Sequence, residues 1–366
     1  MIQEPQTIRA AVKRENAERY MLLSLVSFAS TVILTRLFLQ LAGYPQLGNS
    51  QLHIAHVLWG GLLLFIASLL PLILANRWAY NTAAVLSGVG VGLFIDEVGK
   101  FITQNNDYFY PPAAPIIYAF FLLTVLIYLR VRRPVESEPR TVLYHVLENM
   151  TEVLDHDLDP TEKARMEKRL ANIYTMTSDP DLQALISSLI SFLSHKHLRL
   201  VEPKPGYAQR IGKQISLFLK KYVTQPKLKM FLIFSLGLMG VFVIVDFVRL
   251  ATAAFTLHAE LEALLAPLID QGKLRSAQEA GWFMIRTVLE GVTGFLLIIS
   301  GGMIVTGKEH KGIQLAVICL VIWLSFINLL AYYFDQFSAV VTTLIQFFVL
   351  MALTYYRRKF LQTATE

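Results

Sequence analysis

LHIAHVLWGGLLLFIASLLPLILA, residues 52–75, runs for 24 residues without a single Asp, Glu, Lys or Arg. As a helix rising about 1.5 Å per residue it would be about 36 Å long, enough to cross the roughly 30 Å hydrocarbon core of a bilayer. A helix is also the form that satisfies every backbone N–H and C=O within one segment, as lipid demands. The block therefore predicts a transmembrane span, and it sets the solvent for its neighbours.

Working outward, blocks of the same kind occupy residues 20–41, 82–103, 113–129, 230–248, 282–306, 313–331 and 338–356, making eight spans with the first. The composition agrees. Hydrophobic residues make up 54% and charged residues 16%, with mean hydropathy +0.49, whereas soluble domains carry roughly a quarter charged residues. The expected fold class is all-α, a polytopic membrane helical bundle of about eight transmembrane helices with a cytoplasmic helical insert. No cleavable signal is expected, because the first residues mix acids and bases and the first apolar block is too long for a signal core.

Charge at the span ends predicts orientation. Lys13, Arg14 and Arg19 precede the first span, Arg77 separates the second and third, and Arg130, Arg132 and Arg133 follow the fourth. Lys227 and Lys229, Lys308 and Lys311, then Arg357, Arg358 and Lys359 continue the alternation, while loops 43–51 and 104–112 hold no Lys or Arg. The positive-inside rule then places both termini in the cytoplasm and the chain in the cytoplasmic (inner) membrane. Only loop 249–281 departs, with Arg249, Lys273 and Arg275 offset by Glu260, Glu262, Asp270 and Glu279. The net charge of +6 is then accounted for by orientation and anionic membrane lipids, with no nucleic-acid partner. The single cysteine, Cys319, lies in an apolar block, which excludes a disulfide framework and a cysteine zinc site.

Three regions are expected: a four-span unit over 1–133, an insert over 134–226, and a second four-span unit over 227–366 with an outer amphipathic helix at about 255–270. In the insert the charge rises, and Asp159-Pro160-Thr161-Glu162 carries an N-cap followed by a first-turn proline. Three to five soluble helices are expected there, a surface for a cytoplasmic protein partner. Residues 207–222 alternate apolar and basic positions, as suits a helix on an anionic leaflet or a solvated face. The two four-span halves, ending LIYLRVRR and LTYYRRKF, also raise an internal repeat.

Ionisable residues inside spans are costly in lipid and find partners or water, so they mark the candidate sites. Arg36, His53, His56, Asp96, Glu97 and Lys100 all fall within about 10 Å of the outer boundary by helical rise. Asp107, in the polar and aromatic turn 105–110, joins them as a ligand-binding candidate. A second polar cluster comprises Asp246, Arg249, Arg286, Glu290 and Asn328. Ala84, Gly88, Gly92, Asp96 and Lys100 recur every four residues, a small-residue face leading into an acid and a base. If Gly60 and Gly61 pack on Gly88 and Gly92, His56 meets Asp96 or Glu97. An imidazole beside two carboxylates can carry a proton or hold a divalent metal, with His56, Asp96 and Glu97 as the candidate ligands. The structural alternative is a set of ion pairs, Arg36 with Asp96 or Glu97 and Arg286 with Glu290.

The block TRLFLQLAGYPQLGNSQLHIAHVLWGGLLLFI, followed by GVGVGLFIDEVGKFITQNNDYFYPPAAPIIYAFFLL, resembles a family of bacterial multi-pass membrane proteins of uncharacterised activity, over about residues 35–133. The chain is also similar to VanZ-like membrane families in placing a histidine in one span and an acid in the next, here His56 and Asp96 or Glu97. The resemblance implies the fold and the membrane location and names no reaction.

Three functions compete. Binding or transport of a small solute, ion or lipid is favoured by intramembrane charge and paired halves. The alternatives are an intramembrane enzyme acting on lipid-linked substrates through a metal or a His/carboxylate pair, and a membrane scaffold or sensor. No HExxH, phosphate loop or nucleophile motif supports a particular reaction.

Overall fold

The computed structural model describes residues 11–43, 55–133, 138–195, 198–202, 223–256 and 277–361, with single positions 212, 214, 217, 266 and 269. Every described element is helical. The first group is α1 (Ala17–Leu41), α2 (His56–Ile73), α3 (Arg77–Asp96), the short α4 (Val98–Ile102) and α5 (Ala113–Val131). The insert contributes α6 (Pro139–Asn149), α7 (Thr151–Leu154), α8 (Pro160–Met176) and α9 (Pro180–Leu193). Then come α10 (Gln225–Thr256), α11 (Ala277–Val305), α12 (Glu309–Ile322), a π-helical turn (Trp323–Ile327), α13 (Asn328–Asp335), a 3-10 turn (Gln336–Ser338) and α14 (Ala339–Tyr356). The expected outer helix at 255–270 and the basic stretch 207–222 fall largely outside the described residues, as does His53.

Among the described residues, seven stretches are long and apolar enough to cross a membrane, within α1, α2, α3, α5, α10 and α11 and over Glu309–Leu361. The protein is a multi-pass membrane protein. Leu34, Phe38, Phe65, Leu72, Phe242 and Phe348 are exposed on these helices, a surface that suits lipid and not water. These seven stretches stand where eight separate spans are expected, because spans 313–331 and 338–356 fall within one stretch of 53 residues. That stretch is a hairpin. The Tyr356 hydroxyl donates to Glu309 Oε2 at 2.7 Å, although a straight helix would hold these residues about 70 Å apart. The reversal sits at Gln336, whose φ of 48° breaks the right-handed path at the first residue of the 3-10 turn.

Contacts divide the chain into two compact units, each drawn from several parts of the sequence. The first comprises Met1–Thr31, Trp59–Gly92 and Val125–Gly212; the second comprises Val32–Leu58, Leu93–Thr124 and Lys213–Glu366.

In the first unit, the core of the insert comes from a helical stripe. Met166, Leu170 and Ile173 of α8 lie at i, i+4 and i+7 and are buried with Leu143, Val146, Ile186 and Leu193. The N-terminus of α8 is closed as the sequence expects: Asp159 Oδ1 accepts from the backbone N–H groups of Thr161 (2.6 Å) and Glu162 (2.9 Å), and Glu162 Oε2 accepts from Asp159 N at 3.3 Å. The insert is bonded to its own unit. Arg77, opening α3, donates to Asn149 Oδ1 at 2.6 Å and pairs with Glu152, while Arg169 of α8 donates to Glu15 at 2.7 Å.

The same unit shows how α3 packs. A Cβ on Gly88 would lie 2.2 Å from the Ser24 carbonyl oxygen, and one on Gly92 would lie 2.7 Å from Thr31 Cβ, both in α1. Gly90, about 200° further round, faces α2, where a Cβ would lie 2.8 Å from the Gly60 carbonyl oxygen. This corrects the expected contact of Gly60 and Gly61 with Gly88 and Gly92. α3 is small on two faces, so it seats a helix on each, and Gly61 meets nothing within 4 Å.

In the second unit, Leu232 and Leu236 of α10 bury against Leu297 of α11, Leu320 of α12 and Leu353 of α14. The π-helical turn widens the helix within α12–α13. Its Leu324 carbonyl accepts from the Tyr118 hydroxyl at 2.6 Å, as suits a backbone group released from the regular ladder.

Candidate functional site

All members of the described first polar cluster belong to the second unit, on the last part of α1, the start of α2, the end of α3 and the short α4 with the loop after it. Asp96 closes α3, and the chain breaks there before α4, with Glu97 at φ −90° and ψ 10°. The two adjacent carboxylates therefore point apart. The loop after α4 then folds back over Gly99, where a Cβ would lie 2.7 Å from the Asp107 carbonyl oxygen and 3.2 Å from that of Tyr108. Only a residue without a side chain allows this approach, and it delivers the Tyr108 phenol to Asp96.

Asp96 is fully buried and well supplied with donors. Arg36 Nε donates to Oδ1 at 2.5 Å and Arg36 Nη2 donates to the Asp96 carbonyl oxygen at 2.9 Å. The Tyr108 hydroxyl donates to Oδ2 at 2.7 Å, and His56 Nε2 lies 3.1 Å from the same oxygen. The Arg36 guanidinium carbon lies 4.0 Å from the ring centroids of both Tyr108 and Phe337. Two aromatic faces thus hold the cation while the carboxylate fixes its edge.

Glu97 is buried as well. Its Oε1 lies 2.9 Å from His56 Nδ1, off the direction a well-aligned N–H bond would take, and its Oε2 lies 3.3 Å from Lys100 Nζ. Lys100 sits 5.2 Å from the Tyr108 ring centroid. The break at Glu97 takes Lys100 off the Asp96 face, so it partners Glu97, not the acid four residues earlier.

His56 is the pivot. Its two ring nitrogens face two different carboxylates, and its side chain keeps 23% of its surface open while Asp96 has none. A neutral imidazole has one N–H and one lone pair, so it can donate to only one of the two acids. Donation to both requires a ring carrying two protons.

The divalent metal suggested by residue type does not fit these residues. The oxygens of Asp96 already face Arg36, Tyr108 and His56, and both nitrogens of His56 face acids, so these two side chains are not turned toward a common metal position. Among the described residues, no group of three His, Cys, Asp or Glu side chains could hold a metal ion.

Asp107 serves its own turn, where Oδ1 accepts from the Phe109 N–H at 2.9 Å. The second polar cluster falls into three groups of partners. Asp246 and Arg249 form an exposed pair at 3.9 Å on α10. Arg286 bridges Glu290 (3.0 Å) and Asp335 (2.6 Å). The buried Asn328 amide donates to Thr343 Oγ1 at 3.0 Å and Gln346 Oε1 at 2.7 Å. Tyr108, Phe337 and Asp335 are the partners that residue spacing did not reveal. Tyr108 and Phe337 come from turns after helices, and Asp335 is the last residue of α13, places where periodicity carries little signal.

Comparison with known protein families, curated proteins and solved structures finds no match to this chain.

Proposed function

We propose that this chain binds an ion or small solute at the buried polar site and moves it across the membrane, with the proton held by His56 between Asp96 and Glu97 as the coupled or transported ion. The carrying observation is the placement of both His56 nitrogens against carboxylates, 3.1 and 2.9 Å away. A ring so placed exchanges a proton with its surroundings through its exposed edge, and each change of its charge alters the electrostatic balance among Asp96, Glu97, Arg36 and Lys100. In this reading the site opens to the outer side of an inner bacterial membrane and both termini are cytoplasmic. The His/carboxylate enzyme alternative would use the same proton on a lipid-linked substrate, without a metal.

The test is proton flux into liposomes holding the purified chain and a pH-sensitive dye, driven by an imposed membrane potential. Uptake is expected, with His56→Gln and Asp96→Asn each slowing it at least tenfold while the protein stays folded. Equal rates in the wild type, the variants and protein-free liposomes would end the transport reading.

A second reading rests on the insert, where Tyr144, Leu147 and Leu154 are exposed. These side chains suit a scaffold that docks a cytoplasmic protein partner. A pull-down lost on Leu147→Asp, with proton flux unaffected, would favour it.

A further inference from the structure

In the first compact unit, the chain before α1, the end of α5 and helices α6 and α8 line a cleft of about 900 Å³. Among the described residues, its walls carry Lys13, Arg14, Arg132, Arg133, Arg165 and Arg169, against the two acids Glu15 and Glu18. Part of this charge is already answered. Glu15 accepts from Arg169 at 2.7 Å, and Arg14 lies 3.5 Å from Glu148 and 3.8 Å from the Tyr80 ring centroid. Lys13 donates to the carbonyl oxygens of Val131 and Arg133, each at 2.9 Å. Those acceptors are neutral carbonyls. Arg132, Arg133 and Arg165 are exposed and line the same hollow, with Thr141 and Asn172 adding a hydroxyl and an amide.

Orientation by the positive-inside rule needs only cations near span ends, in any arrangement. A concave wall with cations from three separate chain segments is a stronger condition. Guanidinium and ammonium groups with nearby hydroxyl and amide donors match the several oxygens of a phosphate, and the volume falls within the roughly 300–1,000 Å³ of ligand pockets. The position is also informative, because Arg132 and Arg133 directly follow the α5 span, where lipid phosphates lie.

We propose that this cleft binds a phosphate-bearing anion, supplied either by an anionic phospholipid head group or by a soluble phosphate compound. It does not depend on the proton site.

The test uses the full chain in uncharged detergent and three probes: inorganic pyrophosphate, short-chain phosphatidylglycerol and short-chain phosphatidylcholine. Binding is read by titration calorimetry and by the shift in melting temperature. At least one anionic probe should bind saturably, at least tenfold more weakly in R132Q/R133Q/R165Q. The variant K227Q/K308Q/K311Q removes the same charge from exposed lysines elsewhere and should lose less than threefold. Phosphatidylglycerol alone identifies a head-group site, pyrophosphate alone a soluble ligand, and both a general phosphate site. If the triple variant fails to fold, R165Q on α8 decides, with about threefold loss expected. Absence of saturable binding, equal binding of phosphatidylcholine, or equal loss in both variants overturns the proposal.

Discussion

The Tyr108 hydroxyl donates a 2.7 Å hydrogen bond to Asp96 across twelve residues of chain, joining the loop after α4 to the end of α3. Tyr108→Phe keeps the ring against Arg36 and removes only this donor from a buried carboxylate. A loss of about 1–3 kcal/mol of stability is expected, the usual effect of leaving a buried acceptor short. Thermal or denaturant unfolding of the detergent-solubilised protein measures it, and an unchanged midpoint would mean that the phenol is not bonded to Asp96.

Arg36 lies between two rings and one carboxylate, a geometry made for a planar fork and not for a compact ammonium. Arg36→Gln leaves Asp96 buried without its cation and should destabilise by about 3–5 kcal/mol. Arg36→Lys should recover only part of this. Full recovery by lysine would show that charge alone matters and that the stacking on Tyr108 and Phe337 contributes nothing.

Two glycines near the same depth should respond oppositely to alanine. At Gly88 the new Cβ would lie 2.2 Å from a backbone oxygen of α1, whereas Gly61 has nothing within 4 Å. Gly88→Ala should cost about 1–3 kcal/mol or more through forced separation of α1 and α3; Gly61→Ala should be neutral or slightly stabilising. Equal melting temperatures for the two variants would contradict the packing of α3 on α1.

Acid should loosen the insert. Burial works to raise the Glu15 carboxyl, but the Arg169 guanidinium outweighs it and holds the acid below its usual range. At Asp159, slight burial is likewise outweighed by the Thr161 and Glu162 hydrogen bonds, and this carboxyl also lies low. Depressed folded-state values mean stability that is present above the ordinary carboxylate range, about pH 4, and is lost as pH falls through the folded values. Melting temperature should therefore fall between about pH 5 and 3. Asp159→Asn keeps a good cap but cannot titrate, so its melting curve should be less steep with pH; an identical slope would exclude Asp159 as a contributor.

Orientation can be tested from the loops. Single cysteines at Asn49 or Asn106, in a Cys319→Ser background, should react with an impermeant thiol reagent added outside intact cells. One at Glu138 should react only after permeabilisation. The reverse pattern would invert the topology and move the basic cleft to the outer face.

Much of the fold was legible because lipid leaves few choices. The apolar block containing Trp59 and Leu72 forms α2, and the Asp159 and Glu162 pair caps α8 as the residue types suggest. Part of the site was legible too, since the cost of burying Arg36, His56, Asp96 and Glu97 requires that they find one another. The partners that complete the site were not. Tyr108 reaches Asp96 through a loop folded over Gly99, and Phe337 reaches Arg36 from a turn some 300 residues away. The last two spans proved to be limbs of one hairpin, because a reversal at Gln336 needs a single positive φ and not a polar loop. The small faces of α3 were misassigned because a four-residue stripe hides Gly90 on the other side.

The separation between Arg36 and Asp96 also governs how the chain is made. Asp96 follows Arg36 by 60 positions, so at about 5–20 residues per second the ribosome needs roughly 3–12 s to deliver the acid after the arginine. During that interval the first span must hold a lone guanidinium near the bilayer edge, reaching for head groups or water. Phe337 arrives far later, 241 positions after Asp96. The α1 helix is therefore provisional while the chain emerges: Asp96 fixes its end first, and the aromatic clamp on Arg36 closes only after Phe337 has followed.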